Sequence, residues 1–253
     1  MPSTLKINFY DRHFIDFRRL DPMQPMDLGD GPEHLELSIP IPRDASETTW
    51  NPLFGTRSLY AGHLSDGSTS RPVFIKWARS KQRMEELEME GDFYCSALRK
   101  LQGVVVPNFC GYYTATSQNM HGLGCMILEW IDRCDSSGGE IDNRSKLEAT
   151  YRLHQVGVRH YDLEGEENFI THGDRVYIVG FSQAEERCGC EITKDRVRLC
   201  PEMMWAEEQF GDGETNNVLK EIGVPPGWRM CLDEATWIVE CMSHGTALHT
   251  WKL

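Results

Sequence analysis

The spacing of apolar residues changes near residue 80, and this change limits the possible folds more than any other feature of the chain. Before it, apolar and other residues alternate at 34–41, 59–64 and 73–77, a period typical of β-strands with one buried face. From Lys81 to Leu101 the apolar residues follow a helical spacing instead. Strands and helices that occupy separate stretches of a chain predict an α+β fold.

Further short segments extend this pattern toward the C-terminus. The sequence predicts a second helix at about 144–155 and a mixed, mainly helical region over roughly the last 65 residues. Additional strands are predicted at 104–107, 110–113, 125–130, 169–171 and 176–179. Residues 1–33 are rich in Pro and Gly, which interrupt regular elements, so we expect an irregular N-terminal leader there.

The composition indicates a globular protein with a net negative charge. Apolar residues make up 40% of the 253 residues, and the formal net charge is −13. Nucleic acids and anionic membranes bind cationic patches, so we expect neither as a partner. No apolar run reaches the roughly 18 residues of a membrane span, and residues 1–6 lack the pattern of a secretory signal. We therefore expect a cytoplasmic protein whose nine cysteines are reduced thiols.

Three cysteines in the last third of the chain raise the question of a metal site. Cys188, Cys190 and Cys200 form a candidate zinc set together with His172 or His154. However, a Cys-x-Cys pair followed by a single cysteine lacks the Cys-x-x-Cys spacing of ordinary structural zinc sites. The spacing therefore favours free thiols.

The most specific stretch of the sequence follows the second predicted helix. It reads Leu-His-Gln-Val-Gly-Val-Arg-His-Tyr-Asp-Leu over 153–163, and Asn168 follows before the next strand. This stretch resembles the catalytic loop of protein kinases, and small-molecule phosphotransferases of the same fold share its His-x-Asp form at His160 and Asp162. The resemblance implies that Asp162 accepts or orients the proton of a substrate hydroxyl. It also implies that Asn168 holds a magnesium ion that bridges the phosphates of ATP.

Upstream residues fit the order of the same family. Lys76 matches the strand lysine that binds the α- and β-phosphates, and Glu90 matches the helix glutamate that pairs with this lysine. Glu86 lies one helical turn earlier and is an alternative partner. Glu129 and Ile131 stand where the hinge between the two kinase lobes would contact the nucleotide.

The combined motifs are similar to those of fungal protein-kinase-like proteins, over about residues 34–190. The resemblance implies a two-lobed α+β fold that follows the irregular leader 1–33. Its β-rich N-lobe and hinge would comprise residues 34–131, and a shortened α-rich C-lobe would comprise residues 132–253. Nothing in the last 60 or so residues matches a motif of the family.

One departure from the family pattern concerns the principal magnesium ligand. The family places Asp-Phe-Gly after the strand that follows the catalytic loop, whereas this chain has Val-Gly-Phe-Ser at 179–182. Ile178, Val179 and Phe181 set the register, which assigns the Asp position to Gly180. Glycine has no side-chain oxygen that could bind the metal.

Two further departures affect the phosphate-binding segments. Residues 42–50 contain no glycine where a glycine-rich loop is expected, and an alternative alignment that uses 54–56 contains only Gly55. The spacing from Asp162 to Asn168 is one residue longer than in the family pattern, and the segment with the additional residue contains Gly165. The acidic residues of this segment are an alternative set of ligands for a divalent cation; they are Glu164, Glu166 and Glu167.

These observations predict a pseudokinase-like binding or scaffold protein whose cleft holds a nucleotide or another small ligand, with a protein or a small molecule as partner. The alternative is an atypical ATP- and magnesium-dependent phosphotransferase that acts on a protein or small-molecule hydroxyl with Asp162 as base. Purely structural roles also stay open. Lys76 and Glu90 would then form only a salt bridge, Asp162 would cap its own loop, and His160 would pack beneath that loop.

Overall fold

A computed structural model describes most of the chain. The described residues are 4–9, 13–19, 34–39, 59–117, 120–132, 142–173, 175–186, 188–192, 196–211, 215–223, 228–233 and 236–241. The chain divides into two compact units. Unit 1 comprises Met1–Arg99 and Pro107–Ile131, and unit 2 comprises Lys100–Val106 and Asp132–Leu253. Strands and helices are both present, with the strands more numerous, which agrees with the predicted α+β class.

Unit 1 contains a seven-stranded sheet that closes on itself. Its strands are β1 (Thr4–Phe9), β2 (His13–Arg19), β3 (His34–Ile39), β4 (Leu59–Ser65), β5 (Ser70–Ala78), β6 (Phe109–Ser117) and β7 (Met120–Glu129). They are hydrogen-bonded in the order β1-β2-β6-β7-β5-β4-β3, and β3 pairs with β1 to complete the circle. The pairing of β1 with β3 is parallel, and the other pairings are antiparallel.

Alternation of apolar residues explains these strands. In β4 Tyr60 and Leu64 are buried, and in β5 Ile75 and Trp77 are buried while Lys76 between them lies on the opposite face. Buried residues of β1, β3, β4, β5, β6 and β7 form one hydrophobic core. The strand predicted at 34–41 is confirmed over 34–39, and its last two residues lie outside the described residues. The strands predicted at 59–64, 73–77, 110–113 and 125–130 are also confirmed.

A helix of unit 1 packs on the sheet. Helix α1 (Lys81–Cys95) begins after Ser80, whose hydroxyl accepts a hydrogen bond from the backbone N–H of Arg83 at 3.3 Å. It contacts β5, β6 and β7, and the ring of Tyr94 stacks on Phe109 with centroids 5.6 Å apart. The predicted helix over 81–101 is confirmed up to Cys95, and a separate 3-10 turn covers Ala97–Leu101.

Two predictions for the first half of the chain are wrong. Residues 4–9 and 13–19 form strands rather than an irregular leader. The side chains of Leu5 and Ile7 are completely buried, so an alternating pattern is present there. The Pro- and Gly-rich part, 20–33, lies outside the described residues. Residues 104–107 form a turn rather than a strand, because the backbone N–H groups of Val104 and Val105 bond to the carbonyl of Leu101.

Unit 2 mixes helices with short strands. Its helices are α2 (Asn143–Gln155), α3 (Pro201–Phe210) and α4 (Thr215–Glu221). Its strands are β8 (Val158–Arg159), β9 (Phe169–His172), β10 (Arg175–Ile178), β11 (Glu185–Glu186), β12 (Glu191–Ile192), β13 (Arg196–Leu199), β14 (Trp228–Asp233) and β15 (Thr236–Cys241). The predicted helix at 144–155 and the predicted strands at 169–171 and 176–179 are confirmed.

The expectation of a mainly helical C-terminal region is wrong for the described residues. Strands β12, β13, β15 and β14 form a four-stranded antiparallel sheet in that order. The helices of unit 2 instead centre on α2, which contacts both α3 and α4. Among the described helices of both units, none has the length and apolar character needed to cross a membrane.

Candidate functional site

Strand β5 and helix α1 bring Lys76 and Glu90 together in unit 1. The Lys76 Nζ atom lies 2.5 Å from Glu90 Oε1, and the two side chains are 17% and 2% exposed. Glu86 does not take this role, because its carboxylate accepts hydrogen bonds from Arg83 and Gln82 on the helix surface. The geometry therefore selects Glu90 rather than Glu86 as the partner of Lys76.

The two residues proposed for nucleotide contact at the hinge lie at the end of unit 1. Glu129 is the last residue of β7, and its Oε2 accepts hydrogen bonds from Asn108, from the backbone N at 3.2 Å and from Nδ2 at 2.6 Å. The carboxylate of Glu129 thus ties β7 to the residue that precedes β6. Ile131 is partly buried and is the last residue of unit 1.

The loop that resembles a kinase catalytic loop is anchored inside unit 2 by His160. This residue is completely buried. Its Nε2 donates a hydrogen bond to the carbonyl oxygen of Val179 at 3.0 Å, and its ring packs edge-on against Phe181 with centroids 4.9 Å apart. His160 therefore packs beneath the loop and joins it to the segment that contains Gly180.

A carboxylate of helix α3 also holds the loop, and the sequence analysis missed it. The carboxylate of Glu202 accepts hydrogen bonds from the backbone N–H of His160 at 2.9 Å and from that of Tyr161 at 2.6 Å. Tyr161 has a φ of 67°, which is rare for a residue other than glycine. The only sequence signal was an acidic residue at the start of a helix, a common position for Glu that does not indicate a partner.

The proposed catalytic and metal-binding residues of unit 2 lie side by side. The Nδ2 group of Asn168 donates to the backbone oxygen of Asp162 at 2.6 Å and to its Oδ2 at 3.0 Å. On the other side of Asn168, a methyl group added to Gly180 would lie 2.5 Å from Asn168 Oδ1. Gly180 itself has a φ of +91°. Asp162, Asn168 and Gly180 thus form a short row in which the middle amide contacts both neighbours.

The additional residue between Asp162 and Asn168 is absorbed by a tight turn. Residues Glu166–Asn168 form a 3-10 turn, and the backbone N–H of Asn168 bonds to the carbonyl of Gly165 at 3.0 Å. For the alternative cation site at Glu164, Glu166 and Glu167, the side chain of Glu166 lies outside the part of the chain that the structure describes. Among the described residues, the only set of three potential metal ligands that lie close together is in another part of unit 2.

This set of potential metal ligands consists of His154, Cys190 and Cys200. Each offers one ligand atom, and these atoms all lie within 4.8 Å of one another. His154 Nδ1 is 3.3 Å from Cys190 Sγ and 3.6 Å from Cys200 Sγ. Cys188 lies beside them, with its Sγ 3.5 Å from the carbonyl oxygen of His154. His172, the other histidine considered from the sequence, instead has its Nδ1 2.9 Å from the backbone oxygen of Asp132.

The electrostatics of the cluster favour thiolates at Cys188 and Cys200 but the protonated thiol at Cys190. Hydrogen bonds from the Cys190 thiol lower the pKa of Cys188 to about 5 and that of Cys200 to about 4, and they raise the pKa of Cys190 itself. Burial lowers the pKa of His154, but hydrogen bonds to Cys188, Cys200 and Glu202 outweigh it and leave that pKa raised. The site therefore concentrates negative charge around one buried imidazole.

Other parts of the kinase comparison fall outside the described residues. Residues 40–58, which contain the segment aligned with the glycine-rich loop and its alternative at Gly55, are among them. Comparison of the chain with models of known protein families, and with curated proteins, finds no match.

Proposed function

We propose that this protein is a pseudokinase-like binding module whose two units correspond to the two lobes of a kinase-like fold. It binds a nucleotide or another small ligand through Lys76, and its metal-dependent phosphoryl transfer is lost or strongly weakened. The observation that carries this proposal is the position of Gly180. It stands directly beside Asn168, where phosphoryl transfer requires a second metal ligand.

The ion pair of unit 1 supports a ligand-binding role. A lysine on a strand and a glutamate on the following helix are the pair that kinases use to position the phosphates of ATP. In this chain the pair is short, and Glu90 is almost completely buried while Lys76 retains some exposure. A partly exposed ammonium group held in one orientation is suited to binding an anionic phosphate.

The row Asp162–Asn168–Gly180 supports the loss of metal-dependent chemistry. Mg²⁺ prefers an octahedral set of oxygen ligands and is usually held by carboxylates together with phosphates. Here Asn168 offers one neutral amide oxygen, and Gly180 offers no side-chain oxygen. Because phosphoryl transfer depends on neutralising the charge of the phosphates, a missing metal ligand impairs it more than a missing proton acceptor.

The role of Lys76 is tested by thermal shift with ATP. We expect ATP to raise the melting temperature of the wild-type protein and to have no effect on Lys76→Met. The matched control is Lys81→Met, since the side chain of Lys81 is 89% exposed and its ion pair with Glu85 is long, at 3.7 Å. An equal response of Lys76→Met and Lys81→Met would contradict nucleotide binding through Lys76.

One observation favours the second candidate function, an atypical phosphotransferase. Asp162 is exposed and its carboxylate is oriented by Asn168 at 3.0 Å, as a proton acceptor for a substrate hydroxyl would be. In that case the wild-type protein would transfer the γ-phosphate of labelled ATP to a protein or to a small alcohol, and Asp162→Asn would not. The pseudokinase proposal predicts no transfer by either protein.

A further inference from the structure

The proposed function makes no use of the cysteine–histidine cluster at the start of α3. We infer that His154, Cys188, Cys190 and Cys200 bind one structural zinc ion in unit 2. This site is separate from the row at Asp162, and it does not depend on nucleotide binding.

The spacing of the ligand atoms fits a tetrahedral zinc ion. With Zn–S near 2.3 Å and Zn–N near 2.0–2.1 Å, neighbouring ligand atoms of such a site lie roughly 3.3–3.8 Å apart. The distances from His154 Nδ1 to the sulfur atoms of Cys190 and Cys200 are 3.3 and 3.6 Å. His154 lies 36 and 46 residues before the two cysteines, so local sequence alone does not explain why the three ligand atoms converge.

The hydrogen bond on the far side of the imidazole is the kind that metal-binding histidines make. His154 Nε2 donates to Glu202 Oε2 at 3.0 Å, and the side chains are 0% and 7% exposed. A carboxylate on one ring nitrogen orients the ring and raises the basicity of the other nitrogen toward a metal. In this structure the other nitrogen, Nδ1, is the atom that faces the sulfur atoms.

The backbone around the cluster also contacts one of its sulfur atoms. The N–H group of Cys200 donates to Cys190 Sγ at 3.1 Å. Cys200 directly precedes α3. A backbone N–H group that points at a sulfur atom is a contact that a zinc-bound cysteine can keep, so this hydrogen bond is compatible with the inferred site.

Cys188 is the fourth ligand of the inferred site, although its sulfur is not among the three ligand atoms that lie within 4.8 Å of one another, so it moves toward the ion when zinc binds. Cys188 is buried, lies two residues before Cys190, and its thiol donates to the carbonyl oxygen of His154 at 3.5 Å. Zinc binding displaces the protons of the thiols and of Nδ1, which frees Cys188 Sγ to bind the ion. A site with four protein ligands has no position for a substrate, so it is structural rather than catalytic.

The zinc ion would stabilise the loop at His160 through one intermediate residue. Glu202 accepts hydrogen bonds from His154 and from the backbone of His160 and Tyr161 with the same carboxylate. An ion that fixes His154 therefore also fixes the position of Glu202. The role of the metal is to hold the end of α2, the segment 188–200 and the loop in one arrangement.

The test is the zinc content of the full-length protein, purified under reducing conditions without a chelator. We expect one zinc ion per chain in the wild type. In Cys190→Ser and Cys200→Ser the affinity for zinc should fall by more than about tenfold, since loss of an outer hydrogen-bond partner alone costs about 10- to 100-fold. Cys95→Ser is the matched control, because Cys95 is a buried thiol of unit 1, and it should keep its zinc.

A measurement on the wild type alone covers the case in which the variants do not fold. Alkylation followed by mass spectrometry should modify Cys188, Cys190 and Cys200 only after zinc is removed with a chelator. The inference is overturned if the reduced wild type neither contains nor takes up zinc, or if Cys190→Ser binds zinc as tightly as Cys95→Ser. A chelator-independent pattern of alkylation at the three cysteines would overturn it as well.

Discussion

Gly180 lies so close to Asn168 that a methyl group on its α-carbon would approach Asn168 Oδ1 to 2.5 Å. The φ of +91° at Gly180 is also a conformation that residues with a side chain rarely adopt. The backbone at this position is thus adapted to glycine. A carboxylate side chain cannot be introduced here by substitution alone without a shift of Asn168 or of the backbone.

This contact predicts that Gly180→Ala destabilises the protein by more than the cost of its backbone conformation. The conformation costs about 1–2 kcal/mol, and the contact with Asn168 adds roughly 1–3 kcal/mol. Gly157→Ala is the matched control, because Gly157 has a φ of +82° and open space around its α-carbon. Urea unfolding measures both losses, and equal losses would show that Asn168 does not restrict position 180.

The buried ion pair of unit 1 predicts a larger stability effect than a surface pair on the same helix. Glu90→Gln removes the charge that compensates Lys76, and we expect a loss of about 1–3 kcal/mol in the free energy of unfolding. Glu85→Gln, which disrupts the pair with Lys81, should cost less than about 0.5 kcal/mol. If the two variants unfold at the same urea concentration, Glu90 does not stabilise unit 1 through Lys76.

The hydrogen bonds to the Glu202 carboxylate predict that two backbone amides are protected from hydrogen exchange. Glu202→Ala removes the acceptor of the His160 and Tyr161 N–H groups, so hydrogen exchange at both amides should accelerate and stability should fall by about 1–3 kcal/mol. Glu208→Ala, at an exposed position of the same helix, should leave both exchange rates unchanged. Unchanged exchange in Glu202→Ala would mean that the loop is held by other contacts.

The raised pKa of Glu207 predicts that the stability of the protein depends on pH. Burial raises its pKa above the ordinary value of 4.5, although Tyr151 and Thr215 donate hydrogen bonds to its carboxylate. A raised folded-state pKa of an acid stabilises the fold below the unfolded-state pKa, and this stability is lost as pH rises through the folded-state pKa. Glu207→Gln, which stays neutral, should therefore become more stable relative to wild type as pH rises from the ordinary value of 4.5 through the raised folded-state pKa of Glu207.

The control for this prediction is Glu208→Gln, whose carboxylate is exposed on the same helix. This variant measures how the loss of one surface carboxylate of the helix alters stability over the same pH range. A stability difference between Glu207→Gln and wild type that is constant with pH would contradict a raised pKa at Glu207.

Local spacing predicted much of unit 1 but not its N-terminal strands. The strands that contain Tyr60 and Ile75 were predicted because alternation along one strand is a local property. Leu5 and Ile7 alternate in the same way, but the Pro- and Gly-rich residues after position 20 favour an irregular segment, and this favoured an irregular leader over the whole of 1–33. The turn at Val104 was missed because a run of three valines is typical of a strand, and only the hydrogen bonds to Leu101 show otherwise.

The candidate sites were predictable only where a local motif carries them. The loop with His160 and Asp162 and the pair formed by Lys76 and Glu90 follow from motifs in their own segments. The cluster at His154 does not, because its cysteines are separated from it by 36 and 46 residues and only tertiary structure brings them together. The same reason applies to Glu202, which lies 42 residues after His160.

The loss of metal-dependent chemistry is tested most directly by the affinity of the wild-type protein for ATP, measured by calorimetry with magnesium and with a chelator. The proposed function predicts that the two dissociation constants are nearly equal, because Gly180 provides no ligand for the metal. An affinity for ATP that is more than about tenfold higher with magnesium than with the chelator, a difference of ~1.4 kcal/mol in binding free energy, would contradict the proposed function.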